Sequence, residues 1–322
     1  MVRRRGTILS ALALPLVGAP LRAQTGYPSK PVHVIVPFGA GGSNDHPARF
    51  YGDRLSAALG QQVVIENKPG ASATLGGQMV ATAVPDGYTL LVTPTASIVI
   101  TPHTRKLPYE PLDLVPIAKL TVAPLTIIVT NELGVSSMAE FIALAKQNPG
   151  KFFFGSSGIG TITHLTGEVF ARATGIKLQH SPYKTIVDAV SDIVTGRIQM
   201  VLDPFLVPQV KAGKVRALGT MGNRRLPELP DVPTFTELGI DLMGARGETW
   251  FGMFGPKGTP AEIVARLAGE LGKIASVPEL AQRLALVGQF VDYADAASFR
   301  AQTLSESRFY AQLIKDLDLK LE

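Results

Sequence analysis

The chain contains no cysteine. Disulfides, thiolate metal sites and cysteine nucleophiles are therefore excluded. Charged residues are scarce, 18% against 46% hydrophobic, which excludes a disordered chain and favours a buried core. A strong excess of one charge is also missing once the N-terminus is set aside. The formal net charge is +5, but Arg3, Arg4, Arg5 and Arg22 all stand within the first 23 residues, where there is no acid. Removing those four from 31 leaves 27 basic residues against 26 acidic ones. Nothing electrostatic then draws the chain to nucleic-acid phosphates. No stretch beyond residue 23 is long and apolar enough to predict a transmembrane helix.

Chemical motifs are missing too. The five histidines (33, 46, 103, 164 and 180) are scattered and form no H-E-x-x-H pair, so no metal is expected. Gly39-Ala-Gly41-Gly-Ser-Asn44 begins like a dinucleotide fingerprint but ends on Asn. Gly158-Ile-Gly160-Thr-Ile-Thr163 lacks the third glycine, and neither carries a Gly-Lys-Ser/Thr ending. No cofactor is expected. Gly155-Ser-Ser-Gly-Ile159 does not fit G-x-S-x-G. His164 follows Ser157 by seven residues, so a Ser–His pair is open on spacing, although a buried structural histidine is the weightier reading.

What is present starts with a leader. Arg3-Arg4-Arg5 precedes a short apolar stretch from Gly6 to Pro20, then Leu21-Arg22-Ala23 before Gln24. This reads as a signal peptide of residues 1–23, cleaved near Ala23, and the adjacent arginines also fit twin-arginine export. At 322 residues the chain should hold about two domains.

Strands and helices alternate. Val-rich runs at 31–36, 63–65 and 88–92 predict strands, with helices over 47–59 and 75–83 between them. Pro94 to Pro116 reads as irregular. The pattern restarts with strands at 125–129, 151–154 and 200–202 and helices at 137–147, 164–174 and 186–195. A further strand at 250–254 and helices at 260–275, 277–286 and 297–317 follow. This alternation predicts an α/β fold with mainly parallel sheets flanked by helices. The expected division is 24–123 plus 247–322 as domain 1 and 124–246 as domain 2.

Each half carries one Gly/Ser corner between a strand and a helix: Phe38-Gly-Ala-Gly-Gly-Ser43 and Gly155-Ser-Ser-Gly-Ile-Gly160. In open α/β sheets ligands bind beyond the carboxyl ends of the strands. Glycine admits close backbone approach there, and helix N-terminal amides favour an anion. Two facing corners would clamp a carboxylate, with Ser43, Ser156, Ser157 and Thr161 adding hydroxyls.

Taken in order, these pieces resemble the Bug family, the TctC-like extracytoplasmic receptors of tripartite tricarboxylate transporters. The resemblance runs from Tyr27-Pro-Ser-Lys-Pro31 through Val36-Pro-Phe-Gly-Ala-Gly-Gly-Ser-Asn-Asp45, Glu66-Asn-Lys-Pro-Gly-Ala71 and Pro85-Asp-Gly-Tyr-Thr-Leu90. It continues with Phe154-Gly-Ser-Ser-Gly-Ile-Gly-Thr161, Pro182-Tyr-Lys184, Leu229-Pro-Asp-Val-Pro-Thr234 and Trp250-Phe-Gly-Met-Phe-Gly-Pro256. It implies a two-lobed Venus-flytrap fold of the type II-like periplasmic binding protein kind. It implies a non-enzymatic receptor, a monomer in the periplasm, that hands a small organic carboxylate to the large and small membrane subunits of the transporter. The ligand contacts it implies are Phe38, Ala40, Gly41, Gly42, Ser43, Asn44 and Asp45 of the first corner, and Ser156, Ser157, Gly158, Gly160, Thr161 and His164 of the second. Thr95, Ser97, Tyr183, Lys184 and Asp203 should also face the cleft. Two departures stand out: Thr185 where the family usually has glycine, and His46 where an aliphatic residue is common. Arg49 is expected to pair with Glu66 or Asp86. Two rival readings are a periplasmic serine hydrolase and a sensory receptor that presents its ligand to a signalling partner.

Overall fold

A computed structural model of the chain describes residues 26–316, apart from 72, 184, 185, 205 and 223. The expected signal peptide, Lys184 and Thr185 lie outside the described residues. In chain order the elements are β1 (Val32–Val36), α1 (Asp45–Leu59), β2 (Val63–Asn67), α2 (Thr74–Ala81), β3 (Thr89–Pro94), α3 (Thr95–Val99), α4 (Thr101–Thr104) and β4 (Val115–Pro124). Then come β5 (Thr126–Thr130), α5 (Met138–Gln147), β6 (Phe152–Ser156), α6 (Ile162–Thr174), β7 (Leu178–Pro182), α7 (Val190–Val194), β8 (Met200–Asp203), α8 (Val207–Lys211) and β9 (Val215–Thr220). The chain continues with β10 (Glu248–Gly255), α9 (Ala261–Ala275), α10 (Pro278–Ala285), β11 (Phe290–Ala294) and α11 (Ala296–Asp316).

Two sheets result. One runs β11-β4-β10-β3-β1-β2, the other β7-β6-β8-β5-β9. Both are mixed. β1 is parallel to β2 and β3, and β6 to β7 and β8, the parallel cores that the alternating pattern predicts. The remaining ladders are antiparallel, which that pattern did not include. The main reason is β4. Its proline ends and its central Lys119 break the apolar run that marks a strand, so 94–116 read as irregular and the strand itself was not foreseen. Yet Lys119 is buried, neutralised by Asp292 at 2.7 Å and by Gln302 at 3.1 Å. β7, β9 and β11 were missed as well; they are short and carry polar residues.

Local sequence explains the elements that were foreseen. β1 buries Val32, Val34, Ile35 and Val36, as a strand covered on both faces must. α1 buries Ala48, Tyr51, Leu55 and Leu59 along one stripe and stops at Gly60, whose φ of 67° is the left-handed cap that glycine adopts without strain. On one face of the six-stranded sheet that stripe packs with α9 and α10, through Leu267, Leu271 and Leu280. On the other face α11 brings Phe299, Tyr310 and Leu313 to Trp250 and Phe254 of β10.

The sheets are joined twice, between β4 and β5 and between β9 and β10. The two crossings are hydrogen-bonded to each other: Leu125 N–H donates to Gly247 O at 2.9 Å, and Met221 N–H to Leu125 O at 2.8 Å. Register places the carboxyl ends of β1, β3, β6 and β8 toward these crossings, because Pro94 pairs Phe251 and Thr126 pairs Asp203.

Candidate functional site

Loop 1 leaves β1 at Pro37 and enters α1 at Asp45. Parallel pairing sets Val36 beside Asn67, so the end of β2 stands next to the loop. Asp45 is fully buried beneath it. Its Oδ2 accepts the Gly41 N–H at 2.8 Å and Arg49 Nε at 2.6 Å, and its Oδ1 accepts Asn67 Nδ2 at 2.8 Å. Asn67 Nδ2 also donates to Phe38 O at 3.0 Å, while its Oδ1 takes Arg49 Nη2 at 2.8 Å. Burial pushes the Asp45 carboxyl up, but the hydrogen bonds from Arg49, Gly41 and Asn67 outweigh it and hold it below the usual range. Asp45 is thus turned inward as the brace of the loop. Arg49 serves the same brace, which corrects its expected pairing: Glu66 is taken by His33 and Lys68, and Asp86 by Lys30.

The brace leaves the outer backbone of loop 1 open. Asp45 and His46 N–H groups turn back to Gly42 O, closing the start of α1. Gly41 takes the left-handed conformation at φ 76°. Among the described residues, the N–H groups of Gly39, Ala40, Ser43 and Asn44 form no hydrogen bond. Residues 39–42 are exposed. The far end of the loop is pinned by buried Gln289, whose Nε2 donates to Ser43 O at 2.7 Å while its Oε1 accepts from Thr121 Oγ1 at 3.0 Å. His46 is half-buried and stacked on Phe50 at 5.7 Å, and burial lowers its pKa.

Loop 2 joins β6 to α6, and it is largely self-satisfied. Thr161 caps the helix through its hydroxyl, accepting the His164 N–H at 3.4 Å. Thr163 Oγ1 accepts the Ser157 N–H at 3.1 Å and lies 3.1 Å from Ser157 Oγ. Gly158 N–H donates to Ser156 Oγ at 3.1 Å, and Gly160 N–H to His164 Nδ1 at 3.0 Å. That last bond fixes the His164 proton on Nε2. Ser157 and His164 therefore do not pair. Instead buried Ser156 meets His180 Nε2 at 2.7 Å, a contact between residues 24 apart that spacing does not announce. His180 stacks on His164, with centroids 3.8 Å apart. Burial holds both imidazoles down to about 4.

The other expected contacts divide. Thr95 is buried, and its Oγ1 exchanges hydrogen bonds with the Trp250 backbone, accepting the N–H at 2.8 Å and donating to the carbonyl at 3.3 Å. It locks the start of α3 to β10. Ser97 follows on α3, nearly buried. Tyr183 N–H donates to Ser156 O at 3.0 Å, which brings it beside loop 2, while its hydroxyl donates to Asp192 at 2.9 Å. Asp203 is buried at the end of β8, opposite Thr126. Asn67, Gln289, Thr163 and His180 escaped the sequence reading, because each acts through a contact distant in sequence or inside a loop turn.

Among the described residues no helix is long and apolar enough to cross a membrane, and no group of three or more His, Cys, Asp or Glu is placed to hold a metal. The family model described as the tripartite tricarboxylate transporter family receptor matches residues 48–319. The protein BugT of Bordetella pertussis is 30% identical over 327 aligned positions, covering 100% of this chain and 99% of its own. A solved structure described as R. palustris Rpa4515 with adipate superposes with a TM-score of 0.78 at 30% identity, covering 90% of this chain and 97% of that one. MatC from Rhodopseudomonas palustris, with bound malate, gives 0.73 at 27% identity, covering 89% and 100%. On these matches the chain belongs to the tripartite tricarboxylate transporter family of receptors and is a solute-binding protein.

Proposed function

We propose that this receptor captures a small organic carboxylate between loop 1 and loop 2 and delivers it to the large and small membrane subunits of a tripartite transporter. The observation that carries the reading is the row of unbonded backbone N–H groups at Gly39, Ala40, Ser43 and Asn44. These are fixed donors with no cost of side-chain ordering. Charge-assisted hydrogen bonds contribute about 1.5–3 kcal/mol each, so three or four, less the ordering cost, reach the roughly 8 kcal/mol of micromolar binding. Relatives seen with adipate and with malate support the ligand class.

Loop 1 is the principal anion cradle in this reading. Loop 2 spends the amides of Ser157, Gly158 and Gly160 on itself and presents a preformed wall with the exposed side chain of Ile159 at its tip. The lobes are residues 24–123 with 247–322, and 124–246. They close by bending at the two crossings, because only closure brings both loops to one ligand. The leader directs the chain to the periplasm, where it acts as a monomer.

A thermal-shift screen over mono-, di- and tricarboxylates and neutral sugars tests the reading. A carboxylate is expected to raise the melting temperature by several degrees, with Gly42→Pro blunting the response. A response to neutral sugars alone would overturn the ligand class.

A further inference from the structure

A cavity of about 470 Å³ has no residue of loop 1 or loop 2 in its lining. That volume is in the range of small-molecule sites. Its walls come from the six-stranded sheet and from the connection between β9 and β10. Lys119 of β4, Glu248 of β10 and Asp292 of β11 face the connection that leads from β9 back to β10, including Arg224, Asp241 and Arg246. The apolar floor is buried Val122, Phe235 and Leu242.

The charges around this floor are balanced in sign but unevenly used. Lys119 is spent on Asp292 and Gln302. Arg246 is engaged by Glu306 at 3.4 Å. Two groups of opposite sign remain without an ion pair or side-chain hydrogen bond among the described residues. One is Arg224, exposed, with its guanidinium 5.7 Å from the centre of the Phe290 ring. The other is Glu248. Its carboxyl lies against the bare backbone of Gly222: a Cβ there would come within 2.6 Å of Glu248 Oε1. Burial first, and Asp292 second, raise its pKa against the opposing pull of Arg246 and Lys119.

We propose that this cavity binds a small zwitterion, an amino-acid-like molecule whose carboxylate meets Arg224 and whose ammonium meets Glu248. A simple anion would face Asp241, Glu248 and Asp292. A simple cation would face Lys119, Arg224 and Arg246. A molecule carrying both charges satisfies the two idle groups and lays its carbon chain on the apolar floor. This site is independent of the loop reading.

Isothermal titration of the purified chain with glycine, β-alanine, 4-aminobutyrate and L-leucine tests it, with propylamine as the single-charge control. At least one zwitterion is expected to bind, and propylamine at least tenfold more weakly. Arg224→Gln and Glu248→Gln should each weaken the zwitterion tenfold or more, and Gly42→Pro should leave it unchanged. Arg224 is exposed, so its variant keeps the fold, which its melting curve verifies. The proposal is overturned if no zwitterion binds, if propylamine binds as well, if Arg224→Gln has no effect, or if Gly42→Pro abolishes binding. A carboxylate response lost only in Gly42→Pro reports on the loops and stands or falls separately.

Discussion

The imidazole of His164 lies over that of His180, 3.8 Å between centroids and 18° from parallel. Both rings are held at about 4, mainly by burial, against an ordinary value of 6.5. The folded chain therefore refuses protons that the unfolded chain accepts. The stability this confers is complete above pH 6.5 and is lost as the pH falls toward 4. Glu168, 3.8 Å from His164 Nε2 and raised by burial, acts in the opposite sense and offsets part of the loss. Protonating His164 Nδ1 also breaks the bond from Gly160, so loop 2 should loosen in the same window. Calorimetric melting from pH 7.5 to 4.5 should show a shallower fall for His180→Gln than for the parent. Equal slopes would remove the pair as the cause.

Asp45→Ala deletes the acceptor for Gly41, Arg49 and Asn67 together. The freed Gly41 N–H and the half-exposed Arg49 can be rehydrated, so the loss of stability should be modest, about 1–3 kcal/mol in urea titration. The effect on ligand should be larger in proportion. With loop 1 unbraced, its idle amides no longer hold a common geometry, and carboxylate affinity is expected to drop at least tenfold by calorimetry. A variant that loses stability but binds normally would show that the brace serves the fold alone.

Loop 1 was legible because its chemistry is local. Glycines, a serine and a strand-to-helix change are contiguous in sequence, and the stripe Ala48, Tyr51, Leu55 and Leu59 announces the helix that follows. The brace was less legible. Arg49 and Asp45 are one helical turn apart, a spacing that pairs charges, yet Asn67 reaches them only through the β1–β2 register. β4 was hidden because its lysine is neutralised by Asp292, 173 positions downstream, a partner no local window contains. The same holds for Ser156 with His180 and for Gln289 with Ser43, where the contact exists only once β7 and β11 are in place.

Thr95→Val removes the hydroxyl that accepts the Trp250 N–H and donates to its carbonyl. Trp250 is buried, so its amide would be left without a partner, at about 1–3 kcal/mol. Thr95→Ser keeps the oxygen and should restore most of that stability. Chemical denaturation of the pair separates the hydrogen bond from packing: if serine is as damaging as valine, the methyl group matters more than the exchange.

Gly252 on β10 faces the ring of Phe299, and a Cβ at this position would collide with that ring. Phe299 cannot swing away. It is fully buried, edge-on to Trp250 at 4.9 Å and tilted against Phe254 at 5.2 Å. Gly252→Ala should therefore cost about 1–3 kcal/mol as overpacking, measured by urea unfolding. The strain falls on the strand that carries the chain back from the second sheet, so the register of β10 against β3 and β4 is what must yield. Phe299→Leu alone opens a cavity and should also destabilise. Combined, the two changes relieve each other: the double variant should be more stable than the sum of the single losses predicts, by a coupling of about 1 kcal/mol or more. Strict additivity would mean that the alanine methyl is accommodated by backbone movement and not by the Phe299 ring.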